Sequence, residues 1–423
     1  MGCTQAKPGH FLDSPVTKQQ DAPPVTPPDL QSSDDAAAIA AAQSLAAAIG
    51  TTSTSAGPIP DTVYRTTINT PYDLQSSDEA AAKAAEDVVR LLAGVSSPAE
   101  AVEDSVPSPS STRARAAVLA SFVADAATTG VHWIYEQDKV AELAAADARQ
   151  GRSIAFHYPP ACPFYTTQVG DASPWAHELI PLLRVVASTK TMDPEVYASA
   201  CRHYFKEESA FIPYTNSALR NAFANMNAGK SWREAATDDT QAHGMGKAPI
   251  LVALYHGQPE LLAIKAEEAC LVHQNNPMAV NFAVASAQIL DRIVEGSTIK
   301  DALEWAAAPG NLPAEATEAV AAALARKDQG FSQAVKEMGL SCALPGVFSG
   351  AVLALAKAAD AGEADFQAVI EANMLAGGDN CSRAGFIGAC LAAEQGIECV
   401  PQEWIAQTTV FEEAESLVDR IFA

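Results

Sequence analysis

The chain has 423 residues, 27 Lys plus Arg against 51 Asp plus Glu, a formal charge of −24 and 48% hydrophobic residues. That charge excludes nucleic acid polymers as the main partner and an anionic membrane as an electrostatic one, since both demand a basic surface. No apolar run approaches the roughly 18–20 residues of a spanning helix, and the eight cysteines contain no CxxC pair, so a soluble, cytoplasmic protein with reduced thiols is expected.

Composition divides the chain near residue 112. Residues 1–112 carry 12 of the 26 prolines, three aromatics (Phe11, Tyr64 and Tyr72) and a net charge of −9. So few large apolar side chains cannot offset chain entropy, and a disordered Pro/Ala/Ser-rich tail is expected. It holds a duplication: Asp29–Ala38 recurs as Asp73–Ala82, with Glu79 in place of Asp35. Each copy opens on an N-cap serine, Ser32 or Ser76, and predicts a short helix, 29–49 and 73–93, closed by Gly50 and Gly94. A spacer of nascent helices is the plain account, and a docking stripe of Val88, Leu91, Leu92 and Val95 the sharper one. At the start, Gly2 and Cys3 could accept two acyl chains, although Ala6 stands where such a motif wants Ser or Thr.

From 113 to 423 the pattern is a succession of Ala/Leu/Val-rich helices broken by Pro, Gly and Asn. Periodicity predicts helices at about 113–129, 175–188, 194–206, 215–228, 248–255, 259–273, 277–294, 298–306, 314–325, 331–337, 346–361, 364–375, 383–395 and 409–422. In 277–294, for example, Pro277 suits the first turn and Val280, Ala283, Val284, Ala287 and Leu290 trace a 3.6-residue stripe. The stretch 346–361 is apolar on nearly every face, which places it inside a multi-layer bundle. The expectation is an all-α, single large orthogonal helical bundle, with function in the connections.

Three connections can carry chemistry. Asp171 or Ser173, in Gln168–Ser173, either caps the helix beginning near Pro174 or presents a carboxylate at its mouth. Asp238 and Asp239 form an acidic turn that is either simply exposed or shares a hard cation. Gly377-Gly378-Asp379-Asn380-Cys381-Ser382 precedes a helix, so its glycine amides could cradle an anion while Asp379, Asn380 and Ser382 supply oxygens. Cys381, before a helix start, could be a reactive thiol, but a small residue filling the turn is the plainer account. Ala224–Ser231 fits a relaxed phosphate-binding loop only formally, because a helix rather than a strand precedes it.

Together these segments resemble the ADP-ribosylglycohydrolase family, in the branch related to the J-type crystallins. The resemblance rests on Ala117–Ala126 with His132-Trp133-Ile134-Tyr135, where Asp125 matches a Gly-Asp-Ala signature; on His273–Val280; and on Gly377–Ser382 against the family's Gly-Gly-Asp-Thr-Asp-Thr. It covers roughly 113–423 and implies a helical bundle with one or two Mg²⁺ ions, which orient a ribose and activate water against a glycosidic bond to ADP-ribose or a related ligand. By resemblance Asp171 and Asp379 are catalytic and, with Ser382, metal-binding. Gly377, Gly378 and Asn380 are then expected to bind substrate, an ADP-ribose-like molecule or an ADP-ribosylated protein, and Asp238 and Asp239, which fall later than the family's own Thr-Asp-Asp motif, are expected to face the same cleft and contribute to that binding. Ala172 and Cys381 replace two expected carboxylates, and a thiol is a poor Mg²⁺ ligand. Three function classes therefore stand: a hydrolase with a degenerate metal site, a catalytically silent, crystallin-like binding or structural protein, and a metal-independent thiol enzyme using Cys381 or Cys162.

Overall fold

A computed structural model describes residues 107–207, 212–362 and 364–423. The duplicated segment at 29–49 and 73–93 and the acylation motif lie outside these residues. Among the described residues there is no strand, only three isolated bridges. The helices follow the expected order: α1 Pro109–Thr128, α2 Gln137–Ala148, α3 Pro174–Thr189, α4 Pro194–Glu207, α5 Ser217–Asn227, α6 Trp232–Ala235, α7 His243–Tyr255 and α8 Pro259–Leu271. They continue with α9 Pro277–Val294, α10 Ile299–Ala306, α11 Ala314–Leu324, α12 Phe331–Met338, α13 Gly346–Ala361, α14 Phe366–Leu375, α15 Asn380–Gln395, α16 Gln402–Gln407 and α17 Phe411–Phe422.

Five of these begin on a proline, whose fixed φ and missing N–H suit a first turn. The first helix starts at Pro109, four residues before the expected position, with the Ser108 hydroxyl accepting from Ser111 N. The periodicity missed α2, α6 and α16. In α2 only Val140 and Asp147 are buried, and α6 and α16 are too short to show a period. Helix α7 begins five residues earlier than expected because its Gly-rich start is set by packing: a Cβ on Gly244 would lie 2.4 Å from the Cβ of Ala283.

Helices α1 and α15 form the most extensive pair and the centre of the bundle. Small residues let them approach closely, since a Cβ on Gly388 would meet Ala124 Cβ at 2.7 Å and Ala120 O at 2.9 Å. The expected burial of α13 is met along Gly346–Ala356. The connections before α3, α7 and α15 carry the candidate site.

Candidate functional site

The connection before α15 turns sharply because Gly377 (φ 73°) and Gly378 (φ 66°) occupy the left-handed region. Its amides are spent inside the protein. Gly378 N donates to Ile134 O at 2.7 Å, Asp379 N to Leu340 O at 2.8 Å and Gly377 N to Met374 O at 2.9 Å. The expected anion cradle is therefore not formed: the glycines serve close chain packing. Arg383 clamps the turn from below, with Nη2 on Gly377 O at 2.6 Å and Nε on Asn373 Oδ1 at 2.7 Å. Burial lowers its pKa to about 10.

The turn delivers Asp379 into a wholly buried position. Its Oδ1 accepts from Trp175 Nε1 at 2.9 Å and pairs with His132 Nε2 at 2.8 Å, while Oδ2 accepts from the Ser382 hydroxyl at 2.7 Å. His132 Nδ1 lies 2.7 Å from the Tyr165 hydroxyl. Burial lowers the His132 pKa, so the partners assign a neutral ring that donates from Nε2 and accepts the phenol proton at Nδ1.

Trp175 links this cluster to a second one. Its ring lies 4.7 Å from that of His243, whose Nδ1 is 3.0 Å from Glu178 Oε2 and whose Nε2 is 3.7 Å from Asp239 Oδ1. Glu178 also accepts from Asn216 Nδ2 at 2.6 Å. Asp239 is held by Gln274 Nε2 and Gln241 N, both at 2.9 Å, and Asp238 by Asn276 Nδ2 at 2.6 Å on the exposed side. The strap Leu340–Leu344 ties the two turns: Leu340 O accepts from Asp379 N, and Leu344 N donates to Thr240 O at 2.9 Å.

A further carboxyl, Asp125 on α1, accepts from Ser173 N at 2.8 Å and from the Ser173 hydroxyl. Burial raises its pKa to about 7, with the charge of Asp379 adding a smaller push against the Ser173 donors. Cys381 packs between α1 and Asp379, with Sγ 3.8 Å from Asp125 O. Burial, then Asp125 and Asp379, drive its thiol pKa well up, and burial raises that of Cys162. The buried Cys381 side chain fills the turn, and the alternative of a reactive thiol loses its support, since a helix start gives no acidity where desolvation and two carboxyl groups oppose the thiolate.

The expected site residues divide. Gly377, Gly378, Asp379, Asn380 and Ser382 share one turn, and Asp239 reaches it through His243 and Trp175. Asp171 does not join them. Its Oδ2 accepts from Gln168 N at 3.0 Å and its Oδ1 faces the Thr409 hydroxyl at 3.4 Å, on a separate surface cavity. Ser173, rather than Asp171, caps α3. Asn380 donates to Val131 O at 3.2 Å and leaves its buried Oδ1 unpartnered. Missing from the expected set were His132, Trp175, Glu178, His243 and Arg383. Asp125 and His132 had a signal in the segments that carry the family resemblance; Trp175, Glu178, His243 and Arg383 carried none, being single letters brought together only in space.

These residues do not fit a pair of Mg²⁺ ions. The oxygens of Asp379 and Asp125 already face protein donors, Asp171 lies apart, and the position between is a protonated thiol. Among the described residues no group of three or more His, Cys, Asp or Glu side chains is arranged to hold a metal ion.

Comparison with known proteins places this geometry. Crystallin J1A of Tripedalia cystophora is 26% identical over 311 residues, covering 70% of this chain and 92% of that protein. Crystallin J1B of the same animal is 24% identical over 310 residues, with the same coverage of each chain. A solved structure described as an ADP-ribosylglycohydrolase-related protein complex superposes with a TM-score of 0.54 at 18% identity, over 74% of this chain and 98% of that one, a likeness of fold. No helix among the described residues is long and apolar enough to cross a membrane. The family model described as ADP-ribosylglycohydrolase matches residues 106–423, and the chain belongs to that family.

Proposed function

We propose that this chain is a non-hydrolysing member of its family, which binds an ADP-ribose-type ligand without Mg²⁺ and does not turn it over. The ligand class comes from the family, and the silent character accords with the crystallin names of its relatives. One observation carries the proposal: Asp379, the best-matched metal carboxylate, is wholly buried and held by Trp175, His132 and Ser382. Withdrawing it toward a cation would leave the Trp175 indole and the His132 Nε2–H without acceptors in a buried site, at roughly 1–3 kcal/mol each. Ligand contact then falls to the rim, where the exposed Asp238 and half-buried Asp239 can accept from ribose hydroxyls while the pyrophosphate faces away from them.

The competing reading is metal-assisted hydrolysis of an N- or O-glycosidic bond, held at Asp379 and Ser382. It draws on family membership and on His243 standing between Glu178 and Asp239, a set capable of general acid–base work. Two measurements separate them. Calorimetry with ADP-ribose should give the same heat with and without Mg²⁺, and no heat in either condition ends the binding proposal. Release from an ADP-ribosylated peptide should match that of Asp379→Ala. Mg²⁺-dependent release above that variant would reinstate the hydrolase and its cation.

A further inference from the structure

Helix α3 has a second polar face. Trp175 and Glu178 turn toward the clusters above, whereas His177, Ile180 and Arg184, spaced 3.6-fold, turn the opposite way. There they line a cavity of about 460 Å³ shared with the 166–172 connection, Tyr204 and the Thr409–Glu413 segment. Its size is that of small-molecule sites, about 300–1,000 Å³.

The cavity is a mixed donor–acceptor site over an apolar patch. Arg184 Nε is paired with Glu413 Oε1 at 2.6 Å and its guanidinium lies 5.2 Å over the Tyr204 ring, leaving both Nη groups without a hydrogen bond among the described residues. His177 is buried, with Nδ1 2.7 Å from the Tyr204 hydroxyl and, among the described residues, no hydrogen-bond partner at Nε2. Asp171 stands at the mouth, and Ile180 and Val410 supply the apolar surface. Burial lowers the His177 pKa to about 4, so the ring is neutral near pH 7. Asp171 and Glu413 then outweigh Arg184, and the local charge disfavours phosphates.

We propose that this cavity binds a neutral polyhydroxylated ring of one or two sugar units: Arg184 donates to it, Asp171 and Glu413 accept from neighbouring hydroxyls, and its apolar face rests on Ile180 and Val410. A carboxylate that accepts two hydroxyls beside a donating guanidinium suits a vicinal diol. The site is separate from the Asp379 turn and does not depend on the function proposed there.

Saturation-transfer NMR on the full chain with D-ribose, D-glucose and maltose, against ribose 5-phosphate, tests it. At least one neutral sugar should bind saturably, and more tightly than ribose 5-phosphate. Glu413→Gln should weaken it about tenfold, the loss of one charge-assisted hydrogen bond. Thr409→Trp, at the exposed rim, should abolish it while keeping a cooperative thermal transition and the ADP-ribose heat. The proposal is overturned if no sugar saturates, if both variants bind normally, or if ribose 5-phosphate binds best. Should Thr409→Trp misfold, Glu413→Gln alone decides. Loss of the ADP-ribose heat in a folded Thr409→Trp protein would assign the cavity to the anionic ligand and refute the separate sugar site.

Discussion

A methyl group at Gly378 would sit 2.2 Å from Leu340 O, on a backbone already in the left-handed region. Neither the carbonyl nor the φ angle can yield cheaply, because Gly378 also exchanges hydrogen bonds with Ile134 and Trp133 across an antiparallel bridge. Gly378→Ala should therefore cost about 2–4 kcal/mol, combining left-handed strain with overpacking. A fall in the urea midpoint at unchanged slope would register it, and an unshifted midpoint would contradict the packing account. The Gly-Gly-Asp letters were legible as a special turn, but not the use of its amides. Sequence offers N–H groups to any partner; only the neighbouring carbonyls of Ile134, Leu340 and Met374 take them.

Between elements, the same economy of small side chains sets the distance between α1 and α15. Gly388 faces Ala124 and Ala120 at separations that leave no room for a Cβ. Gly388→Val should push the central pair apart and cost about 1–3 kcal/mol or more, with loss of the Asp125–Asp379 neighbourhood as a consequence. Thermal unfolding checks the first part. Trp175 fluorescence, read against a Trp175→Phe control, checks the second. Helix positions were largely readable, since Ala, Leu and Val at 3.6-residue spacing with prolines at the starts leave few alternatives. Helices α2, α6 and α16 were not, because short or weakly amphipathic segments owe their helicity to what they pack against.

Across the molecule, buried ionisable groups make stability depend on pH in two opposed ways. Burial lowers the pKa values of His132 and His273, and that of His177 to about 4. Below about pH 6.5 the unfolded chain gains protons there that the folded one refuses, so stability falls as pH drops. Asp125, raised to about 7, works in the other direction: the folded state keeps a proton that the unfolded state has lost, and stability falls as pH rises from about 4 to 7. Asn at 125 can retain both Ser173 interactions without a charge. The melting temperature of Asp125→Asn minus that of the unsubstituted chain should thus rise across pH 4–7 and level off above. A flat difference would mean that Asp125 is not desolvated as the structure has it.

Sequence by itself determined the helical class, the order of the helices, the family resemblance and the net charge of −24, because composition and periodicity act locally and additively. The tertiary structure decided which of the marked residues meet. Asp379, His132 and Trp175 lie far apart in the chain, and their contact depends on how tightly glycines and alanines let helices close. It also turned Asp171 away to a cavity of its own. Local letters could suggest that carboxylate, but the direction in which it points is set by Gln168 and Thr409. Side-chain direction and burial are properties of the packed bundle, and they separate a cation site from a set of carboxyl groups already satisfied by the protein.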